Sequence, residues 1–141
     1  MQYTTITVGL VYADKVNKNG WRISLDEFKK GVNNERVTEM LATKTLFITE
    51  KYNTDAEKIP NLIVCMKDII GHVISIDVED FMAVIEIDTE FCNNKLDEEY
   101  ALYFSYIANN TKNKENTYTE ITDLKIVSAV YMPKSLSAYN D

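Results

Sequence analysis

Two β-rich runs separated by a short acidic interval form the clearest pattern in the chain. They lie within residues 68–88, on either side of residues 78–80, which read Val-Glu-Asp. Apolar residues recur at every second position in both runs, which is the period of a strand whose two faces differ. The short polar interval between them predicts a β-hairpin.

The alternation also predicts which side chains of the hairpin share a face, because successive side chains of a strand point to opposite sides. One face of the first run carries the chain's single histidine. The residues expected to share that face are Ile70, His72, Ile74 and Ile76. In the second run, Glu86 and Asp88 are expected to point away from a face formed by Phe81, Ala83, Ile85 and Ile87.

Upstream of the hairpin, the pattern predicts a strand, a turn and two helices. Residues 4–13 alternate as a strand, and Asn19-Gly20 marks a tight turn because both residues accept positive φ. The sequence Ser24-Leu25-Asp26-Glu27 is a capping box that opens a helix. A second short helix over residues 35–42, short strands over 46–49 and 62–66, and a polar loop over 52–60 are expected to follow.

Downstream of the hairpin, strands are again expected to dominate. Residues 96–102 predict one or two helical turns and residues 103–107 predict a strand. The asparagine-rich stretch 109–116 is typical of a mobile loop. Residues 118–132 predict one or two further strands, and a tail begins at residue 134.

These elements predict a single domain over residues 1–133 followed by a C-terminal tail over 134–141. We expect a mainly β, α+β fold. Long alternating strands joined by loops favour an antiparallel or mixed β-barrel of six to seven strands, with one or two short helices.

Charge and composition exclude several classes of protein. The net charge of −7 over 141 residues argues against a nucleic-acid-binding surface, which needs a basic patch. No apolar run is long enough to cross a membrane.

Two cysteines, Cys65 and Cys92, form neither a disulfide framework nor a metal motif. A cation site built from Glu79, Asp80, Glu86 and Asp88 is one interpretation of the hairpin carboxylates, but a solvated surface is favoured. We expect no metal ion and no cofactor.

The order of the segments resembles the prohead maturation proteases of tailed phages, a family related to the herpesvirus assemblins. Residues 16–23, which include Asn19-Gly20-Trp21-Arg22, resemble the opening of that family and precede a capped helix. Residues 69–76 and 84–89 resemble its central hairpin. Residues 102–107 occupy the place of the strand that carries the nucleophilic serine, and residues 121–133 resemble the closing strand.

The resemblance implies a serine nucleophile activated by histidine, with Ser105 and His72 at the matching positions. Glu50 or Asp68 would orient the histidine. Two features depart from the family pattern: residues 46–53 lack the upstream histidine, and Ser105 lies between two aromatic residues. A site with two histidines cannot form in a chain that has one. A strand serine and a strand histidine without catalytic roles are the alternative interpretation of both residues.

Three hypotheses follow. The first is a phage structural protein, an auxiliary or decoration component of the capsid with a protease-like fold that has lost catalysis. The second is an active serine endopeptidase that cleaves scaffold and capsid proteins during prohead maturation. The third is a small β-rich binding module. The first places the chain in the virion after synthesis in the host cytoplasm, in contact with the major capsid protein or other virion proteins. It leaves homo-oligomerisation open and predicts no nucleic acid and no membrane as partners.

Overall fold

The computed structural model describes residues 2–10, 14–49, 68–93 and 99–134. Within these ranges the chain forms seven strands and three helices. In chain order they are β1 (Tyr3–Gly9), β2 (Trp21–Ile23), α1 (Leu25–Val32), α2 (Glu35–Thr43), β3 (Phe47–Thr49), β4 (Ile69–Asp77), β5 (Met82–Asp88), α3 (Thr89–Asn93), β6 (Tyr100–Lys112) and β7 (Thr119–Pro133).

The strands form one mixed sheet in which β7 has the most partners. From one edge, the order is β1-β5-β4-β3-β7. β6 pairs with β7 in antiparallel fashion over nearly its whole length, while β2 and β3 both pair with it in parallel, at its two ends. The predicted mainly β, mixed architecture is therefore confirmed.

The predicted barrel is not confirmed. Within the described ranges, β1 and β6 meet at a single bridge, between Leu10 and Leu102, and not along a ladder. The sheet is therefore not closed. The third helix, α3, was not predicted; it starts directly after β5, where the Asp88 carboxylate accepts a hydrogen bond from the Phe91 N–H at 2.8 Å.

The central hairpin is present, but its core-facing side differs from the prediction. The turn is stabilised by the Asp77 carboxylate, which accepts hydrogen bonds from the backbone N–H groups of Glu79 and Asp80. A bulge between Val73 and Ser75 interrupts the alternation. Val73 therefore lies in the core, and Ile74 is 39 % exposed. The single face predicted for Ile70, His72, Ile74 and Ile76 is wrong, because a bulge reverses the side on which later residues point.

Helix α1 begins as the sequence predicts, but only half of the capping box forms. Ser24 is the N-cap and accepts a hydrogen bond from the Glu27 N–H at 3.2 Å. The Glu27 carboxylate does not reach back; it accepts a hydrogen bond from the backbone N–H of Asp123 on β7, also at 3.2 Å. This bond ties the first turn of the helix to the sheet.

Aromatic packing holds α1 against the sheet. Phe28 is buried, and its ring lies 6.0 Å from the ring of Phe81 and 6.3 Å from that of Phe104. Gly31 permits close approach to β7, since a Cβ atom at this position would lie 2.8 Å from the Cβ of Leu124. The helix thereby connects the tip of the β4–β5 hairpin with β6 and β7.

The β6–β7 hairpin is longer than predicted. The loop expected over residues 109–116 is strand as far as Lys112, and residues 100–102, expected to be helical, also belong to β6. Asn109 pairs with Thr122 and Lys112 pairs with Thr119. Pairing with β7 therefore overrides the weak strand preference of asparagine. No helix in the described ranges is long and apolar enough to cross a membrane.

Candidate functional site

Both residues that the family resemblance singles out lie in one row across the sheet. His72, on β4, pairs with Glu86 on β5 and with Phe47 on β3. Ser105, on β6, pairs with Ser128 on β7. The pairing of Ile48 with Ala129 sets the register between β3 and β7 and places Phe47 beside Ser128. The row therefore runs Glu86–His72–Phe47–Ser128–Ser105.

The row lies on the side of the sheet opposite the core cluster. Each member of the row on β4, β3, β7 and β6 has a sequence neighbour that belongs to that cluster: Val73, Ile48, Ala129 and Phe104. Neighbouring side chains of a strand point to opposite sides. His72 and Ser105 therefore point away from the core and share one face of the sheet.

The structure does not bring Ser105 and His72 together. Three strand intervals of about 4.8 Å each separate them along the sheet. A general base must lie within about 2.6–3.2 Å of the hydroxyl that it activates. Phe47 and Ser128 occupy the intervening positions of the row. Ser105 and His72 are therefore not hydrogen-bonded to each other.

His72 lies beside a carboxylate instead. Its Nε2 atom is 3.5 Å from Oε2 of Glu86, and the histidine side chain is 16 % exposed. This Nε2 atom is buried and has no hydrogen-bond partner among the described residues. A carboxylate beside an imidazole is the relationship that orients a catalytic base, although here the two atoms lie beyond good hydrogen-bond distance.

The expected orienting residues are placed differently. Asp68 immediately precedes β4 and lies four residues from His72, roughly 13 Å away along an extended strand. Glu50 lies outside the described residues. The carboxylate that lies beside His72 is that of Glu86, which was not among the expected orienting residues. The turn pairs Asp77 with Met82, and only the register shift between Val73 and Ser75 brings His72 opposite Glu86, so the hairpin spacing alone does not reveal this partner.

Other reactive groups in the described ranges lie outside the row. No group of three or more His, Cys, Asp or Glu side chains in the described ranges is arranged to hold a metal ion. Cys92 has a free, half-buried thiol, while Cys65 lies outside the described residues. Burial raises the pKa of the nearby Tyr131, and Cys92 and Tyr100 raise it further.

The fold is prohead-protease-like. One solved structure that shows this likeness is the capsid assembly protease gp21 of bacteriophage T4, with a TM-score of 0.65 over 92 % of this chain and 82 % of that chain. Sequence identity between the two is 16 %, so the likeness shows the fold alone. No protein-family model and no curated protein matches the sequence.

Proposed function

We propose that this chain is a bacteriophage structural protein, an auxiliary capsid component with a prohead-protease-like fold that does not cleave proteins. In this role it is located in the virion and contacts the major capsid protein or another virion protein. The likeness to a phage capsid assembly protease supports the phage context.

The observation that carries the non-catalytic role is the separation of Ser105 from His72. Acyl transfer by a serine needs its base within hydrogen-bond reach, and here Phe47 and Ser128 lie between the two residues in the row. His72 is the only histidine in the chain, so no second imidazole replaces it. Ser105 instead faces another serine across the β6–β7 pair.

An active serine prohead protease is the second candidate, and the contact between His72 and Glu86 favours it. An imidazole 3.5 Å from a carboxylate resembles the base and orienting group of a catalytic triad. For this function, Ser105 would have to move several ångström towards His72 when substrate binds.

The copy number of the chain in purified mature particles separates the two candidates. We expect a fixed stoichiometry relative to the major capsid protein, with both termini intact, when particles are quantified by mass spectrometry. A chain that is present in precursor heads and absent from mature particles would contradict the structural role.

A pair of serine variants gives an independent test. Ser105→Ala and Ser128→Ala remove the hydroxyl groups of two paired residues. A structural role predicts that both variants support normal processing of capsid proteins, followed by gel electrophoresis of particle proteins. Loss of processing with Ser105→Ala alone would establish the protease.

A further inference from the structure

One end of the molecule is locally basic although the chain is acidic. Thr119 joins the β2 turn to the β6–β7 turn: its N–H donates to the Gly20 carbonyl at 2.7 Å, and it pairs with both Trp21 and Lys112. The two segments that meet here, residues 14–22 and 112–120, contain five basic and three acidic side chains. This region, called the basic end below, therefore carries a charge of about +2 in a chain of net charge −7.

Exposed apolar side chains lie at the basic end. Val16 is 42 % exposed and Trp21 is 38 % exposed. Arg22 lies next to them, where it pairs with Asp14 and Glu120 and packs over the ring of Tyr118. Tryptophan, tyrosine and arginine are the residues most often found at the energetic centre of protein interfaces.

The opposite end of the molecule also exposes an apolar side chain, but the charged residues of that end are mainly acidic. Tyr3 is 49 % exposed and pairs with Asp88, which precedes the exposed Glu90 on α3. Glu99 is also exposed, and its carboxylate lies 3.2 Å from the Lys134 amine. Among the described residues of this region, Asp88, Glu90 and Glu99 are acidic and Lys134 is basic. We call this region the acidic end.

The strand directions place these regions far apart. β1 runs parallel to β6 at the bridge between Leu10 and Leu102, so Tyr3 lies beyond the start of β6. Contacts of Tyr131 with Phe91 and with Tyr100 place α3 at that same end. Lys112 is at the other end of β6, and thirteen strand residues span about 40 Å. A single copy therefore cannot bring its two ends into contact.

We propose that the basic end of one copy docks on the acidic end of a second copy. In this contact Val16 and Trp21 pack against Tyr3, while Lys18, Lys112 and Lys114 face Asp88, Glu90 and Glu99. The apolar contact stabilises the complex because it removes nonpolar surface from water. The opposite charges fix the orientation of the two copies and raise the rate of encounter. Because the contact joins two different surfaces, it is heterologous and continues from copy to copy as a ring or an open chain.

Charge distribution favours a second copy over nucleic acid as the occupant of the basic end. The net charge of −7 repels a polyanion as a whole, whereas docking of like chains needs only the two ends to be complementary. The docking also does not depend on the capsid role proposed above, since it is measured on the isolated protein.

Sedimentation velocity of the purified chain at concentrations up to about 1 mM tests the proposal. We expect a sedimentation coefficient that rises with concentration and falls with added salt, because salt screens contacts between exposed charges. The variant Lys18→Glu/Lys112→Glu/Lys114→Glu should reduce the association constant at least tenfold. Glu90→Lys/Glu99→Lys should do the same.

A mixture of these two variants gives the decisive result. The first has two acidic ends and the second has two basic ends, so each should be monomeric alone while the mixture associates. The control variant Lys30→Glu/Arg36→Glu/Lys125→Glu carries the same change in net charge around α1, α2 and β7 and should associate like the original chain. Monomers at every concentration, equal loss of association in the control, or a mixture that stays monomeric would each overturn the proposal.

Discussion

The Nε2 atom of His72 lies 3.5 Å from the Glu86 carboxylate and makes no hydrogen bond to any described residue. A buried nitrogen without a hydrogen-bond partner loses its hydration and gains no compensating hydrogen bond. In a structural protein this atom is dispensable. In a protease it would be the group that receives the serine proton, so substitution of His72 gives opposite outcomes for the two candidate functions.

We expect His72→Phe to leave the free energy of unfolding unchanged or to raise it by up to about 1 kcal/mol, since an apolar ring replaces an unsatisfied polar group. Denaturation in guanidinium chloride measures this value. Particles that carry the variant should contain normally processed capsid proteins. A stable variant that blocks processing would assign His72 to catalysis.

Gly71 is predicted to be intolerant of any side chain. A Cβ atom there would overlap the backbone carbonyl oxygen of Glu86 and lie 2.9 Å from the Cα of Ile87. We expect Gly71→Ala to lower the free energy of unfolding by at least about 3 kcal/mol, because the paired strand cannot move without disturbing the core. Gly9→Ala is the matched control, since no atom lies within 4 Å of a Cβ at that position. Similar losses in urea denaturation of the two variants would contradict this account of Gly71.

The bond between Glu27 and Asp123 predicts a measurable link between α1 and β7. Glu27→Ala removes the acceptor of the Asp123 N–H and should cost about 1–2 kcal/mol in thermal or chemical unfolding. Glu35 also lies in the first turn of a helix but makes no such bond in the structure, so Glu35→Ala should cost no more than about 0.5 kcal/mol. Equal costs for the two variants would show that the helix dipole alone accounts for the loss of stability, with no contribution from the bond to Asp123.

Stability at high pH is expected to depend on Tyr131. Burial first, and then Cys92 and Tyr100, raise its pKa in the folded state. Above a pH of about 10, the ordinary tyrosine value, the unfolded chain loses this proton while the folded chain keeps it. The contribution of Tyr131 is therefore fully present below that pH and is lost as pH rises through the folded pKa.

Tyr131→Phe isolates this effect. Urea denaturation of both proteins on either side of about pH 10 should show a shallower decline in stability for the variant. Parallel declines would mean that the folded and unfolded pKa values of Tyr131 coincide.

Local patterns in the sequence predict the elements with strong periodicity. The hairpin of β4 and β5, the N-cap at Ser24 and the second helix are found close to their expected bounds. The bulge after Val73 leaves no clear mark in the sequence, and it changes which residues face the core. The strand assignment of Asn109 comes from pairing with Thr122, a long-range contact that local preference cannot reveal.

In the candidate site, too, the sequence selects individual residues but does not reveal how they are arranged. Family resemblance selects Ser105 and His72, and the structure places both on one face. Their separation depends on β3 and β7 lying between β4 and β6, which is a matter of sheet order. The pairing of His72 with Glu86 lies within one hairpin, but it depends on the bulge after Val73, which shifts the register by one residue.

The position of β7 in the sheet has a consequence for how the chain acquires its structure during synthesis. β2, β3 and β6 all pair with this strand, yet it is the last element of the described chain to leave the ribosome. Trp21 cannot pair until Thr119 is synthesised, 98 residues later in a chain of 141. Such distant pairings slow folding and leave strand edges exposed meanwhile. A nascent chain that ends before β7 therefore holds three strands without their common partner, and it is at this stage that aggregation or chaperone binding competes with folding.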